Sequence, residues 1–282
     1  MNAPLPNAPF QLMGIVNVTP DSFSDGGLYL GPDAAIAHAR RLAAEGADIL
    51  DVGGESTRPG AVPVAADEEL RRIEPVFEGI AGAPARLSID TSKAPVARAA
   101  IERGASIVND VSALRADRAM VGLIAETEVA CCLMHMLGEP RTMQRDPRYA
   151  DVVDEVKAFL EERLRFAVSE GVREERIMLD PGIGFGKTVA HNLTLLRRLA
   201  ELAVLGRPLV VGTSRKSFLG RIIADDAAER LPGTIATNVL AFERGASVFR
   251  VHDVAPVRAA LATAAATLDA RWTPSAVRST TS

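Results

Sequence analysis

The sequence predicts one α/β domain folded as a (β/α)8 TIM barrel, and three observations carry that expectation. First, eight short apolar runs recur at βα-unit spacing, each stopping at polar or charged residues. Parallel strands covered on both faces read this way, because they lack the alternation of half-exposed strands. Second, the stretches between the runs are helical in pattern, and several close on Gly before small residues and the next run, as in EGADIL, RGASIV and RGASVF. Gly just past a helix end marks an αβ loop. Third, 282 residues accommodate one barrel of about 250 residues with short tails. The β-to-β intervals are irregular, which excludes a solenoid repeat.

In chain order the strands are expected at 12–17, 47–51, 85–90, 105–110, 129–135, 176–181, 209–216 and 247–252. The first helix, 33–45, is Ala-rich, follows Pro32 and stops at Gly46. The second, 67–80, has acidic residues in its first turn, where the helix dipole favours them. Further helices are expected at 95–103, 117–126, 151–170, 189–202, 232–244 and 254–270. Residues 1–10 form an N-terminal extension, 11–270 the barrel and 271–282 a Ser/Thr/Pro-rich disordered tail. Three βα loops are long, at 19–31, 53–66 and 136–150, and loops of that length at a catalytic face serve as lids.

Composition narrows the function classes. With 48% hydrophobic and 24% charged residues a large core is available. A net charge of −4 suggests neither a nucleic-acid nor a membrane-surface partner. No apolar run approaches the roughly 18 residues of a membrane span, and MNAPLPNAPF lacks the basic and apolar regions of a signal peptide. Cys131 and Cys132 are adjacent within a strand, so their side chains point to opposite faces and a mutual disulfide is excluded on geometry. Two buried thiols fit a reducing, cytoplasmic setting. The two N-x-T matches, at Asn17 and Asn192, are discounted as glycosylation sites for the same reason.

Active sites of such barrels lie at the carboxyl ends of the strands. A cationic group falls there: Arg58, Arg215, Lys216, Arg250 and His252. Together they can hold a diphosphate through charge-assisted bonds, although any one alone is as readily a solvated loop charge. Arg250 and His252 are two residues apart on one strand and therefore share a face. A second group comprises Asp51, Asp90, Asn109 and Asp180. Buried carboxylates need partners, so these either close the barrel mouth through ion pairs to Lys216 or Arg250, or recognise a heterocycle rich in N–H donors. His38 and His191 fall within predicted helices and are expected at the surface. GIGFGKT (182–188) is not a phosphate-binding P-loop, because G-x-x-x-x-G-K-[ST] would require Gly where Pro181 stands. Lys187 is read as a lysine of a loop or helix N-terminus. No Ser-His-Asp set or activated nucleophile is evident.

Five segments carry a resemblance: MGIVNVTPDSFSDGG (13–27), DVGGESTRPG (51–60), LDPGIGFGKT (179–188), GTSRKSF (212–218) and RVHDV (250–254). In this order they resemble dihydropteroate synthase, of the pterin-binding barrel superfamily, over about residues 11–260. The resemblance implies condensation of 6-hydroxymethyl-7,8-dihydropterin diphosphate with p-aminobenzoate in folate biosynthesis, the step that sulfonamide inhibitors target, and a homodimer. It places the pterin on Asp90, Asn109, Asp180 and Lys216, with Arg250 stacking and Met134 in apolar contact, a Met that equally suits core filling. It places the diphosphate on Asn17, Thr57, Arg58, Arg250 and His252, with Mg²⁺ on Asn17. The p-aminobenzoate pocket is then Phe23, Thr57, Pro59, Phe185, Lys216 and Ser217, with Asp25 and Ser56 in the same mobile loops, and Asp51 and Arg215 in support. Catalysis would fall to Asp90, Asp180, Lys216, Arg250 and His252. The diphosphate leaves a carbon that can bear positive charge, so an SN1-like displacement is expected, and a neutral arylamine needs no strong base. Three other readings fit less well. A methyltetrahydrofolate:corrinoid methyltransferase needs no diphosphate site, a catalytically silent pterin binder should have lost the loop residues, and a sugar-phosphate barrel does not account for the motifs.

Overall fold

A computed structural model describes residues 9–19, 31–223 and 229–269. Eight parallel strands form a closed barrel in sequential order. They are β1 (Gln11–Asn17), β2 (Ile49–Gly53), β3 (Arg86–Asp90), β4 (Ala105–Asp110), β5 (Ala130–Met134), β6 (Ile177–Asp180), β7 (Leu209–Val211) and β8 (Ala246–Val251). β1 closes the ring by pairing with β8 from Gln11 opposite Val248 to Gly14 opposite Val251. Beneath that seam Asp48 accepts from the Leu12 amide and from Arg258, each at 2.8 Å.

The outer ring is α1 (Pro32–Ala44), α2 (Ala66–Gly79), α3 (Ala94–Glu102), α4 (Ala119–Thr127), α5 (Val152–Ser169), α6 (Val189–Arg197), α7 (Ala200–Ala203), α8 (Ser217–Ile222), α9 (Leu231–Glu243) and α10 (Val254–Leu268). None of these is long and apolar enough to cross a membrane. The stretch 189–202, read as one helix, is two helices joined through Arg198 and Leu199. The strand read over 209–216 ends at Val211, and α8 follows instead. Gly46, Gly104, Gly171 and Gly245 all take positive φ after helices, as the αβ-loop pattern requires.

Strand alternation divides the core in two. Outward positions pack under the helices in the main cluster, which includes Leu12, Val16, Leu50, Val52, Cys131, Leu133 and Phe249. Inward positions Met13, Ile49, Ile107, Cys132, Met178, Val210 and Val248 form a separate apolar plug filling the barrel. The two cysteines therefore face opposite ways, and both are buried free thiols. Burial pushes the Cys131 thiol up to about 12. Two residues beyond the plug, the inward positions change character. Asp51, Asp90, Asn109, Met134, Asp180 and Arg250 line the mouth, and Ser88 lies beneath Asp90 on the same face.

Candidate active site

Arg250 ties the mouth together. Its Nε donates to Asp51 Oδ2 and its Nη2 to Asp90 Oδ2, both at 2.7 Å. Asp51 is fully buried and also accepts from Ser88 Oγ at 2.6 Å and Asn109 Nδ2 at 3.0 Å. Both of its oxygens are thus bonded within the protein. Burial opposes the Arg250 charge, but Asp51 and Asp90 more than offset this and hold the guanidinium above its usual range. The ion-pair reading and the binding reading of these carboxylates separate here, because both Asp51 oxygens are bonded among the described residues and one Asp90 oxygen is not. Asp90 Oδ1 is buried with no hydrogen-bond partner. An unsatisfied buried acceptor costs about 1–3 kcal/mol, so this oxygen presents a ready place for a ligand N–H. Burial raises the Asp90 carboxyl to about 7, with Arg250 opposing and Asp51 reinforcing the shift.

The opposite wall comes from β6, β7 and the loops after them. Asp180 Oδ1 accepts from the Gly182 amide at 2.7 Å, and burial raises its carboxyl while Lys216 lowers it. Lys216 precedes α8. Its Nζ donates to the Ile183 carbonyl and lies 4.3 Å from the Phe185 ring centroid, a cation–π arrangement. Burial lowers this ammonium to about 8, with Asp180 opposing. Met134 packs with Val111, Met136, Met143 and Phe185 in a small cluster, so its core-filling role is realised at the edge of the same wall.

The Ser214 hydroxyl accepts from the His252 amide at 3.1 Å and lies 3.0 Å from His252 Nδ1. Arg215, at φ 55°, is held by Asp253 in two bonds of 2.9 and 2.5 Å. Ser217 opens α8 and is exposed. Asn17, half-buried, ends β1 opposite Gly53. In the second loop Ser56, Thr57 and Arg58 are half-buried and Pro59 is exposed. The root of this loop is fastened by Glu55, which takes Lys93 Nζ at 2.5 Å and the Val64 amide at 3.0 Å. Its tip reaches the fifth loop, where the Gly60 amide donates to the Pro140 carbonyl at 3.1 Å. Phe23 and Asp25 lie outside the described residues.

Two expectations need correction. His38 and His191 are half-buried rather than surface residues. His38 Nε2 lies 3.1 Å from the Ile15 carbonyl, and His191 forms a reciprocal cap with Thr188. Helical periodicity alone does not tell a capping or strand-facing histidine from an exposed one. Residues that reasoning from sequence missed include Ser88, which the two-residue spacing from Asp90 could have flagged. Ser214, Lys93 and buried Lys187 gave no such signal.

The fold and the mouth together define a pterin-binding enzyme: the pterin-binding enzyme family model matches residues 13–252, and the chain belongs to that family. Its relatives there are dihydropteroate synthases. The Escherichia coli K12 dihydropteroate synthase is 46% identical over 261 residues, covering 92% of each chain. That of Mycobacterium leprae is 49% identical over 255 residues, covering 88% of this chain and 89% of the relative. Among solved structures, the Yersinia pestis enzyme in a sulfonamide drug complex superposes with a TM-score of 0.87 at 43% identity, covering 92% and 94% of the two chains. The Xanthomonas albilineans enzyme in complex with 7,8-dihydropteroate gives 0.79 at 42%, covering 92% and 93%.

Proposed function

We propose that this chain joins 6-hydroxymethyl-7,8-dihydropterin diphosphate to p-aminobenzoate, giving 7,8-dihydropteroate and pyrophosphate. The observation that carries the reading is the orphan buried oxygen of Asp90 beside a bonded Asp51–Asn109–Arg250 network. Among the described residues it is an acceptor with no donor, at the depth where a flat heterocycle would rest. Relatives solved with 4-aminobenzoic acid and with 7,8-dihydropteroate support it.

Asp90, Asn109, Asp180 and Lys216 hold the pterin, Arg250 stacks on it and Met134 gives apolar contact. Asn17, Thr57, Arg58, Arg250 and His252 take the diphosphate. Phe23, Thr57, Pro59, Phe185, Lys216 and Ser217 surround the arylamine, with Arg215 supporting through Asp253. The bond from the pterin methylene to oxygen breaks with its electron pair going to the diphosphate. The amine lone pair then forms the C–N bond, and its proton leaves to solvent. Arg58, Arg250 and His252 stabilise the departing charge, while Asp90 and Asp180 favour the cationic methylene.

For Mg²⁺ the donor set is sparse. Asn17 offers one amide oxygen, and among the described residues no three His, Cys, Asp or Glu side chains gather to hold an ion. That fits an ion arriving with substrate phosphates, as Mg²⁺ commonly does; when bound it neutralises diphosphate charge. We further propose a cytoplasmic homodimer, supported by the buried free thiols and by exposed Leu240 and Leu268 on the neighbouring helices α9 and α10.

The test is Mg²⁺-dependent pyrophosphate release with and without p-aminobenzoate. Asp90→Ala and Arg250→Ala are each expected to lose at least about 100-fold in rate, the scale of one removed electrostatic contact. Near-native rates in both variants would overturn the reading.

A further inference from the structure

Lys187 is the most thoroughly buried lysine of the chain outside the groups already given a role, and its surroundings are unusual. It is 3% exposed. Its Nζ donates to the carbonyls of Gly182 and Phe185, each at 3.0 Å, and lies 2.9 Å from His135 Nδ1. The His135 carbonyl is at 3.5 Å. Among the described residues no carboxylate lies within ion-pair distance of it, so carbonyl and imidazole dipoles alone satisfy its Nζ, and burial pushes the lysine well below its usual range. Burial drives the His135 imidazole down to about 2, aided by Lys187, so that ring stays neutral and its Nδ1 accepts.

The segment from Gly182 to Lys187 thus curls around its own last side chain. Its backbone permits nothing bulkier at three points, one of them Gly186 at φ 63°, where a Cβ would sit 2.8 Å from the Leu137 carbonyl oxygen. Gly182 has φ 66°, and a Cβ there would sit 1.9 Å from the His135 carbonyl oxygen. Gly184 has φ 85°, and a Cβ there would sit 2.8 Å from Lys216 Cδ. Asn192 Oδ1 accepts from the Gly184 amide at 2.7 Å, and Tyr149 donates to the Gly186 carbonyl at 2.8 Å. Gln144 Nε2 also donates to the Gly184 carbonyl at 2.6 Å, and these three bonds anchor the segment from outside. From within, the Phe185 amide donates to the Gly182 carbonyl at 3.0 Å, and Lys187 is the side chain of the segment that ties the Gly182 and Phe185 carbonyls together. What the curled segment presents to the mouth is the Phe185 ring and the Ile183 carbonyl, the two groups that hold Lys216.

We propose that Lys187 is a positioning residue for the arylamine subsite: by gathering the Gly182, Phe185 and His135 dipoles it fixes the Phe185–Lys216 pair against which p-aminobenzoate stacks. The inference rests on the reaction proposed above. It weighs on the arylamine more than on the pterin, because Asp90, Asn109 and Arg250 stand on strands that Lys187 does not touch, and the pterin-holding groups within its reach are Lys216 and, through the Gly182 amide, Asp180.

The experiment measures steady-state KM for each substrate and kcat by pyrophosphate release, with thermal unfolding in parallel, for Lys187→Met and Lys187→Gln. Met removes every donor in similar volume, and Gln keeps two donors without the charge. The expected result is a KM for p-aminobenzoate raised about tenfold in the Met variant and less in the Gln variant, since misplacing a positioning group by a fraction of an ångström acts on this scale. The KM for the pterin diphosphate, which meets Lys216 but rests mainly on Asp90, Asn109 and Arg250, should rise clearly less, by no more than about threefold, a split that a general loss of stability would not produce. Unchanged KM values for both substrates, or equal increases in both, overturn the inference. If Lys187→Met fails to fold, Lys187→Gln decides by the same split. Absence of p-aminobenzoate-dependent turnover in the unaltered protein would count against the proposed reaction itself, and so remains distinguishable.

Discussion

Asp51 and Asp90 share one arginine but are left in different states. Asp51 accepts from Ser88, Asn109 and Arg250 on both of its oxygens, whereas among the described residues Asp90 keeps one buried oxygen unpartnered. Burial raises the Asp90 carboxyl to about 7 despite Arg250. Above that pH the group is a carboxylate able to accept two ligand N–H donors; below it one oxygen carries a proton and that capacity is halved. Pterin affinity of the free protein is therefore expected to be full near pH 8 and to fall below pH 7, by up to about tenfold per pH unit. Calorimetric titration with a pterin from pH 5.5 to 8 tests this, with Asp90→Asn expected to bind weakly and without that slope. An identical slope in the variant would assign the titration to another group. At this scale the sequence was informative where chemistry coincided with strand period. Asp90, Asn109, Asp180 and Arg250 end buried runs at inward positions, and the structure brings them together. Lys187 was not legible as a buried group, because a lysine before a helix carries no mark of which way its ammonium turns.

The elements around the mouth are held by contacts that sequence period does not encode. Lys93, at the start of α3, reaches Glu55 in the second loop and Glu69 in α2 at 2.5 and 2.6 Å. Glu69 is fully buried, and its Oε1 has no partner. Removing Lys93 would strand that carboxylate, and breaking a buried pair costs about 3–5 kcal/mol. Lys93→Met is thus expected to lower the melting temperature by several degrees at pH 8. Burial raises the Glu69 carboxyl, with Lys93 opposing. Without Lys93 the group protonates more readily as pH falls, and the neutral acid is tolerated where the carboxylate is not. The deficit should then narrow at pH 5. Thermal unfolding at both pH values checks the sign, and a deficit that widens at low pH would contradict it. The boundaries that differed from expectation have equally local causes. The 189–202 stretch holds neither Gly nor Pro and keeps leucines at 195, 196, 199 and 202, so pattern gave no reason to stop, yet the chain breaks helix at Arg198, where the side chain spans to Asp151 at 2.7 Å and to Glu201. The run after Leu209 reads on through VVGTSRK, but Thr213 turns into a buried hydroxyl and amide set with Thr237 and Asn238 that ends the strand early.

Across the whole molecule the closed barrel sorts residues by depth. An apolar plug from seven inward positions seals the middle. Above it lies the charged layer of Asp51, Asp90, Asn109 and Arg250, and Phe185, Pro59 and Ser217 stand at the rim, the last two exposed. Because the plug admits nothing from below, both substrates must enter through the same mouth, and the layer that would hold the pterin lies beneath the groups that would hold the arylamine. A p-aminobenzoate seated first would have only the rim to bind and would obstruct the deeper layer; a pterin seated first would add its own face to the arylamine pocket and bring diphosphate charge beside Arg58. Binding is therefore expected to be ordered, pterin diphosphate before p-aminobenzoate. Calorimetry should detect no p-aminobenzoate binding to the protein alone and clear binding once a non-reactive pterin and pyrophosphate are present with Mg²⁺, a gain of at least about tenfold in affinity, the lower range of coupling between adjacent ligands. Equal affinity with and without the pterin would mean that the rim alone forms the arylamine site and that depth does not impose the order.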